Sequence, residues 1–197
     1  MTFLFDIGRV LLDFDFESSL MRLLPPTIVD PNARLAKLLD RKDELEAGLI
    51  DPDDYIAWAL SVMESPASAT EFRHAWQQIF TPNKPMWDCV RRLAGRGHRL
   101  ILFSNINAIH CPWLFDAYQE FSLFDGAVLS FEAGCLKPEP QIYQYAVDAH
   151  ALVADTTVYI DDIAQNIATG RQFGFHCWQY DLNEHKAFEH WLASFEI

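Results

Sequence analysis

Polar side chains able to bind a metal ion and a phosphate group follow four short apolar runs of this sequence. They are Asp6 after residues 3–5, Ser104 and Asn105 after 100–103, Lys137 beyond 127–129, and Asp161 with Asp162 after 158–160. Apolar runs of this length, bounded by turn signals, are typical of buried parallel strands. Ligands bind in the crevice at the carboxyl ends of such strands, so we expect these six side chains to meet there.

Asp6 is the candidate nucleophile. A carboxylate can attack phosphorus and form an aspartyl-phosphate, which divides hydrolysis into two easier steps. The attack requires that the charge repulsion between carboxylate and phosphate be neutralised. Mg²⁺ held by oxygen ligands does this, and Asp6, Asp161 and Asp162 are the candidate ligands. The sequence therefore predicts Mg²⁺ as the cofactor.

Lys137 is the candidate cation of the site. Its ammonium group would screen the phosphate oxygens and keep Asp6 ionised. Ser104 and Asn105 would donate hydrogen bonds to the same oxygens, together with backbone amides. Phosphoryl transfer depends mostly on such positioning and charge stabilisation, so we expect a phosphate ester as the substrate.

The composition limits the partners. The chain has 197 residues, half of them hydrophobic, and a net charge of −13 at pH 7. Such an acidic surface repels nucleic acid and anionic lipid, so we expect a small phosphorylated substrate and neither nucleic acid nor a membrane as partner. No apolar stretch approaches the ~20 residues that span a bilayer, and the N-terminus lacks the pattern of a signal peptide. We expect a cytoplasmic protein, and the sequence predicts no oligomeric state.

Strand-like and helix-like segments alternate from about residue 84 onward, which is the signature of βαβ units. The expected helices cover 83–96, a segment opened by Pro138, 164–173, and the C-terminal stretch around Phe188. The expected strands cover 99–104, 157–161 and 176–180. The pattern predicts an α/β fold with a parallel sheet.

Residues 17–82 lack strand patterning and are predicted to be helical. Asp51-Pro52 fits an N-cap and first turn of a helix through Met63, and residues 68–71 fit a capping box for a helix through Phe80. We expect this segment to cover the crevice as a cap on a core formed by 1–16 and 83–197. The alternative is a helical layer far from the site; insertion directly after the strand that bears the nucleophile favours the cap.

Four stretches of the sequence resemble the motifs of a known family: FDIGRVLLDFDF (5–16), LFSNINAIH (102–110), LKPEPQIY (136–143) and YIDDIAQNI (159–167). In this order and at these spacings, they resemble those of the haloacid dehalogenase (HAD) superfamily of hydrolases. Within it, the chain is similar to small sugar-phosphate phosphatases of the α-D-glucose-1-phosphate phosphatase branch. The resemblance runs over essentially the whole chain and implies a Rossmann-like core with a small helical cap inserted after the first strand.

The resemblance implies a metal role for the matching acidic residues. Asp6 is implied as the nucleophile and also as a metal ligand, Gly8 as the donor of a backbone carbonyl to the metal, and Asp162 as the main ligand from the last motif. Asp161 is implied as a further ligand or as a partner that holds the ligands, and Asn166 as such a partner.

Five residues are predicted to bind phosphate or substrate. The resemblance implies this role for Ser104, Asn105 and Lys137. A short flap strand is expected over residues 12–16, where polar and apolar side chains alternate. Arg9 is either a further phosphate or substrate contact or an exposed arginine salt-bridged on this flap, with neither favoured. His110 could contact a sugar or donate a proton, although a lone histidine near a helix start is more often structural.

One departure from the family pattern concerns the proton for the leaving group. Most HAD phosphatases have Asp-x-Asp in the first motif, and the second Asp protonates the leaving group; here that position is Gly8. The glucose-1-phosphate branch shows the same glycine, so activity is not excluded. Bound water, the substrate itself or a cap residue would then deliver the proton. General acid catalysis is typically worth ~10²–10⁴-fold, so an easily displaced group such as an anomeric sugar fits best.

These observations support three hypotheses. The leading one is a Mg²⁺-dependent phosphatase that hydrolyses a small phosphorylated metabolite, such as glucose 1-phosphate, through an aspartyl-phosphate on Asp6. The second is a 2-haloacid dehalogenase, which needs no metal and leaves the Asp161-Asp162 pair without a purpose. The third is a catalytically silent binding module of the same fold, and Gly8 is the only feature of the sequence that supports it.

Overall fold

The fold is built around a parallel β-sheet with five strands in the order β5-β4-β1-β6-β7. The computed structural model describes residues 1–195. The strands of this sheet are β1 (Thr2–Phe5), β4 (Arg99–Ser104), β5 (Gly126–Leu129), β6 (Thr157–Asp161) and β7 (His176–Gln179). Two further strands, β2 (Leu12–Phe14) and β3 (Phe80–Pro82), form a separate antiparallel pair. The parallel sheet confirms the predicted α/β fold class.

Helices cover both faces of the sheet and fill the segment between β2 and β3. Those of this segment are α1 (Phe16–Met21), α2 (Pro31–Ala36), α3 (Lys42–Glu46), α4 (Pro52–Met63) and α5 (Ala69–Gln77), with a 3-10 turn over Lys37–Arg41. Those that follow are α6 (Lys84–Gly95), α7 (Cys111–Ala117), α8 (Ser130–Ala133), α9 (Pro140–His150), α10 (Ala164–Gln172) and α11 (His185–Ala193). Short 3-10 turns cover Gln119–Leu123 and Ala154–Thr156.

The sheet is buried on both faces, as the continuous apolar runs of its strands predict. Successive side chains of β1 point to opposite faces: Phe3 and Phe5 belong to one hydrophobic cluster, and Leu4 belongs to another. The first cluster includes residues of α6 and α11, and the second includes residues of α9 and α10. The central strand β1 therefore holds its carboxyl end in a rigid position.

The segment between β2 and β3 has a hydrophobic cluster of its own. Fully buried members include Leu20, Tyr55, Ile56 and Phe72, and Ile109 joins them from outside the segment. The predicted helix starts are present: Asp51 caps α4, and Ser68 and Glu71 form the capping box of α5. We call residues 16–77, from α1 to α5, the helical segment; its function as a cap stays a prediction.

Two local predictions are wrong. Helix α5 ends at Gln77 instead of running through Phe80, because Phe80 begins β3 and pairs with Phe14. The predicted helix start at Pro138 is also wrong, because Pro140 takes the first-turn position of α9. The sequence offers two prolines two residues apart, and either suits the first turn of a helix.

Among the described residues, no helix is both long enough and apolar enough to cross a membrane.

Candidate active site

Asp6 and Asp161 lie side by side because their strands pair directly. Phe5 of β1 is opposite Ile160 of β6, and the Asp6 amide donates to the Ile160 carbonyl at 3.0 Å. Both carboxylates are buried, with 7% of Asp6 and none of Asp161 exposed. The spacing of these two acids is therefore determined by backbone hydrogen bonds of the sheet.

Lys137 is the cation between these two acids. Its Nζ lies 3.0 Å from Asp6 Oδ1 and 2.6 Å from Asp161 Oδ2, and it donates to the Phe103 carbonyl at 2.8 Å. Burial alone would lower the pKa of Lys137, but the charges of Asp161 and Asp6 raise it above its usual value. The amine is therefore held in its charged form.

Asp161 accepts hydrogen bonds on both carboxylate oxygens. Oδ2 accepts from Lys137 Nζ and from the Tyr159 hydroxyl, each at 2.6 Å. Oδ1 accepts from the Ile163 amide at 2.9 Å and from Asn166 Nδ2 at 3.0 Å. With four donors on this carboxylate, few lone pairs remain for a metal. Of the two roles left open for Asp161, these bonds favour holding Lys137 and the adjacent ligands.

The acids at these strand ends form a cluster that lacks balancing charge. Asp6, Asp161 and Asp162 each place one carboxylate oxygen within 4.8 Å of the others, and Lys137 supplies one positive charge. Burial raises the pKa of Asp6 to about 6 against the opposing effect of Lys137. Burial, followed by the charges of Asp6 and Asp161, raises the pKa of Asp162 to about 7.

Mg²⁺ fits this cluster. Asp6 Oδ1 is buried and, among residues 1–195, has no partner that meets hydrogen-bond geometry, although the Lys137 ammonium lies 3.0 Å away. Carboxylate oxygens are the ligands that a hard divalent cation prefers. A divalent cation would also supply the missing positive charge, and Asp162 is half-buried, so the site is reachable.

Gly8 lies in the loop after β1 and lines the same cavity as Asp6. A Cβ atom at Gly8 would approach the Phe14 ring to 3.3 Å, so a longer side chain here would require Phe14 to shift. The predicted donation of the Gly8 carbonyl to a metal stays a prediction.

Ser104 is the last residue of β4 and Asn105 follows it, and both line the cavity. The Asn105 side chain accepts from the Lys137 amide and donates to the Lys137 carbonyl, both at 2.9 Å. This pair of bonds holds the Lys137 backbone at the site. Ser104 is 1% exposed, and its hydroxyl makes a long 3.4 Å hydrogen bond to the Asn105 carbonyl. Phosphate binding by both residues stays a prediction.

Arg9 also lines the cavity, but its guanidinium is engaged on the flap. It forms an ion pair with Asp13 and lies over the Phe14 ring, 4.5 Å from the centroid. Of the two predicted alternatives for Arg9, these contacts match the salt-bridged arginine.

His110 lies in the same cavity and is 7% exposed. Burial lowers the pKa of His110 to about 3, so the ring is neutral near pH 7. Its Nδ1 lies 3.2 Å from Asn107 Nδ2, and the rings of Trp76 and Phe80 meet it edge to face. Within the described chain, Nε2 has no hydrogen-bond partner. These contacts hold the ring in place, and its role toward substrate stays a prediction.

The cavity that the acids line has a volume of about 370 Å³, and most of its wall is apolar. Its apolar walls include Phe14, Phe16, Leu38, Leu45, Tyr55, Trp76, Ile79 and Phe80. Lys42 and Glu46 of α3 also line it, and sequence reasoning missed both. Their i, i+4 spacing resembles an ordinary surface ion pair, so the sequence contains no signal that separates them from one.

Several known proteins are similar to this chain in sequence or in fold. A family model described as haloacid dehalogenase-like hydrolase matches residues 2–174. The chain belongs to this family. It is similar to a D-ribitol-5-phosphate phosphatase of Bacteroides thetaiotaomicron, with 25% identity and 89% of each chain covered. It is also similar to a sesquiterpene phosphatase of Aspergillus oryzae, with 27% identity over 87% of this chain and 85% of that one.

Solved structures with this fold include a HAD family enzyme of B. thetaiotaomicron in complex with magnesium and inorganic phosphate. Its TM-score is 0.79 at 21% identity, over 93% of this chain and 95% of that one. An L-2-haloacid dehalogenase of Xanthobacter autotrophicus superposes less well, with a TM-score of 0.66 and 15% identity over 89% of this chain and 75% of that one. The predicted superfamily is confirmed, and the phosphatase relatives support the predicted enzyme class, a phosphoric monoester hydrolase.

Proposed function

We propose that this HAD-like hydrolase is a Mg²⁺-dependent phosphatase that acts on a small phosphorylated substrate through an aspartyl-phosphate on Asp6. The observation that carries the proposal is the cluster of Asp6, Lys137, Asp161 and Asp162, three of which line a cavity of about 370 Å³ while Asp161 lies buried behind them. A carboxylate nucleophile, a fixed cation and a cation-binding set of acids are the parts that phosphoryl transfer needs.

Each residue of the proposed site has a separate role in the reaction. Asp6 presents its carboxylate to phosphorus, and Lys137 places positive charge next to the phosphate oxygens. Asp161 keeps Lys137 oriented, and the paired bonds of Asn105 hold the Lys137 backbone. Asp6, Asp162 and the Gly8 carbonyl would hold Mg²⁺, whose chemistry is to neutralise negative charge on the phosphate.

Replacement of the nucleophile tests the proposal. Asp6→Asn should lower phosphate release by at least about a thousandfold, because the amide cannot attack phosphorus. Phosphate release by the wild-type chain should also stop in EDTA and return with Mg²⁺. Asp148→Asn, an exposed acid on α9, is the matched control and should behave like wild type. Turnover retained in Asp6→Asn would rule out the nucleophile, and halide release that resists EDTA would favour the dehalogenase.

The cavity walls favour a second substrate class besides the sugar phosphates predicted from the resemblance. Six apolar side chains from the helical segment line the cavity, and two of the apolar lining residues, Leu39 and Ile163, are each nearly half exposed. Several of the polar groups in the cavity are already bonded within the chain, as for Arg9 and Asn105. An apolar alcohol esterified to phosphate suits such walls, and the A. oryzae relative is named a sesquiterpene phosphatase.

A substrate panel separates these classes. Glucose 1-phosphate, ribitol 5-phosphate and farnesyl phosphate would each be offered with Mg²⁺, and kcat/KM compared. A preference for farnesyl phosphate of about tenfold or more supports the apolar class, since burial of each methylene contributes about 0.8 kcal/mol. A preference for either sugar phosphate supports the class predicted from the resemblance. The lack of phosphate release from all three would favour the silent binding module.

We also propose that the helical segment is a cap, because it supplies Leu45, Tyr55 and Trp76 to the cavity that contains Asp6. In this arrangement the strand ends perform the chemistry and the helical segment selects the leaving group.

A further inference from the structure

The leaving group of a phosphate ester needs a proton, and Gly8 cannot supply one. The oxygen released from phosphorus is a strong base unless it is protonated as the bond breaks. A proton donor that replaces the missing aspartate must therefore line the cavity. Besides the acids and lysine of the metal and phosphate cluster, the ionisable groups that line it are Arg9, Lys42, Glu46, Tyr55 and His110.

Four of these groups are poor donors. The Tyr55 hydroxyl donates its proton to the Leu38 carbonyl at 2.7 Å, and burial raises its pKa. Arg9 remains protonated at any working pH and is paired with Asp13. His110 is neutral, because burial lowers its pKa to about 3. Lys42 is a weak acid, because Glu46 and Asp43 raise its pKa against the effect of burial. Glu46 is the remaining group.

Glu46 is a carboxyl group at the carboxyl end of α3, on the wall of the cavity. Its side chain is 14% exposed, and its Oε2 accepts from Lys42 Nζ at 2.9 Å. Burial raises the pKa of Glu46; Lys42 opposes this effect, and the charges of Asp43 and Asp6 add to it. A bound phosphate adds further negative charge nearby and favours the protonated form in the same way.

The backbone of Glu46 is anchored to the core. The Ser130 hydroxyl donates to the Glu46 carbonyl at 2.5 Å and accepts from the Ile106 amide at 3.0 Å. Two residues later, Gly48 adopts φ +68° against the Phe131 backbone, where a Cβ would overlap the Phe131 carbonyl. The end of α3 therefore lies tightly against α8, next to the loop that follows Ser104.

We propose that Glu46 is the general acid and base of the reaction, in the place of the aspartate that Gly8 replaces; this inference rests on the proposed phosphatase function. In the first step, Asp6 forms a bond to phosphorus, the ester P–O bond breaks, and the leaving oxygen takes the Glu46 proton. In the second step, water attacks phosphorus, the Glu46 carboxylate takes a proton from that water, and the bond from phosphorus to Asp6 breaks. Glu46 is then protonated again and inorganic phosphate leaves.

Leaving-group dependence tests the proposal. Glu46→Gln should lower the first-turnover rate on an alkyl phosphate by about 10²–10⁴-fold, the range of general acid catalysis. The first-turnover release of p-nitrophenol from p-nitrophenyl phosphate should fall less than about tenfold, since p-nitrophenolate leaves without a proton. Later turnovers on p-nitrophenyl phosphate should be slow, giving a burst, because water attack has lost its base.

Glu44→Gln is the matched control, since Glu44 lies on the same helix, bonds to Arg41, and does not line the cavity. It should match wild type on both substrates. An equal loss on both substrates in Glu46→Gln, with an unchanged melting temperature, would assign Glu46 a structural role and overturn the proposal. Unchanged rates on both would also overturn it. A wild-type chain inactive on both substrates would instead overturn the proposed function itself.

Discussion

Asp6 carries a cost in stability. Its carboxylate is buried beside two other acids, and burial raises its pKa in the folded chain from 3.8 to about 6. A carboxylate whose pKa is higher in the folded state destabilises the fold when ionised, so the penalty is full above pH 6 and fades as the pH falls toward 3.8.

Asp6→Asn should therefore stabilise the metal-free chain at high pH. We expect its free energy of unfolding to exceed that of wild type by about 1–3 kcal/mol at pH 8, at about 1.4 kcal/mol per pKa unit, and by little near pH 4. Urea unfolding in EDTA at both pH values measures this difference. A gain that does not depend on pH would contradict the proposed origin. Added Mg²⁺ should raise the stability of wild type more than that of the variant.

At the same scale, the sequence predicted which side chains lie together better than it predicted their hydrogen-bond partners. Asp6, Ser104 and Asp162 come together because each lies at or just after the end of a strand of one parallel sheet, and Lys137 joins them from the segment beyond β5. Strand ends are readable from apolar runs. The role of Asp161 was left open, because two adjacent acids look alike in sequence. The structure distinguishes Asp161 from Asp162 by its complete burial and by four donors, Lys137 from one part of the chain and three groups between residues 159 and 166.

At the scale of elements, the contact between α3 and α8 determines where Glu46 lies. Gly48 and Gly97 both have positive φ angles, +68° and +77°. A Cβ at Gly48 would overlap the Phe131 carbonyl, whereas a Cβ at Gly97 has no atom within 4 Å. Alanine substitutions at the two glycines therefore distinguish the effect of backbone strain alone from the effect of the close approach of α3 to α8.

Gly97→Ala should cost about 1–2 kcal/mol of unfolding free energy from the left-handed backbone alone, and its phosphatase activity should match wild type. Gly48→Ala should cost more and should also lower activity, because α3 must move away from α8 and take Glu46 with it. Urea unfolding and phosphate release measure both effects. Equal stability losses with full activity in both variants would contradict the importance of this contact.

The elements that sequence reasoning missed are those whose local signals conflict. Strand β3 has three residues, includes Pro82 and follows two residues after α5, so an apolar residue such as Phe80 looked like the end of the helix. Its strand character comes from pairing with β2, almost seventy positions away in the chain. Local propensity cannot supply such a long-range contact.

At the scale of the whole molecule, three hydrophobic clusters divide the chain. Two lie on the faces of the sheet and the third fills the helical segment. The sheet clusters were predictable, because strands buried on both faces must be apolar throughout. The cavity walls were not, because they depend on how the helical segment lies over the strand ends, and helix periodicity specifies only which side of each helix is buried.

The pairing of β1 with β6 has a consequence for how such enzymes can diverge. The reactive atoms take their spacing from a ladder of main-chain bonds at Phe5 and Ile160, which no side chain of the cavity wall contributes to. Tyr55 and Trp76 can therefore be exchanged in a mutant library without disturbing that ladder. Selection on new phosphate esters could then be confined to a few wall positions, with the reaction itself inherited unchanged.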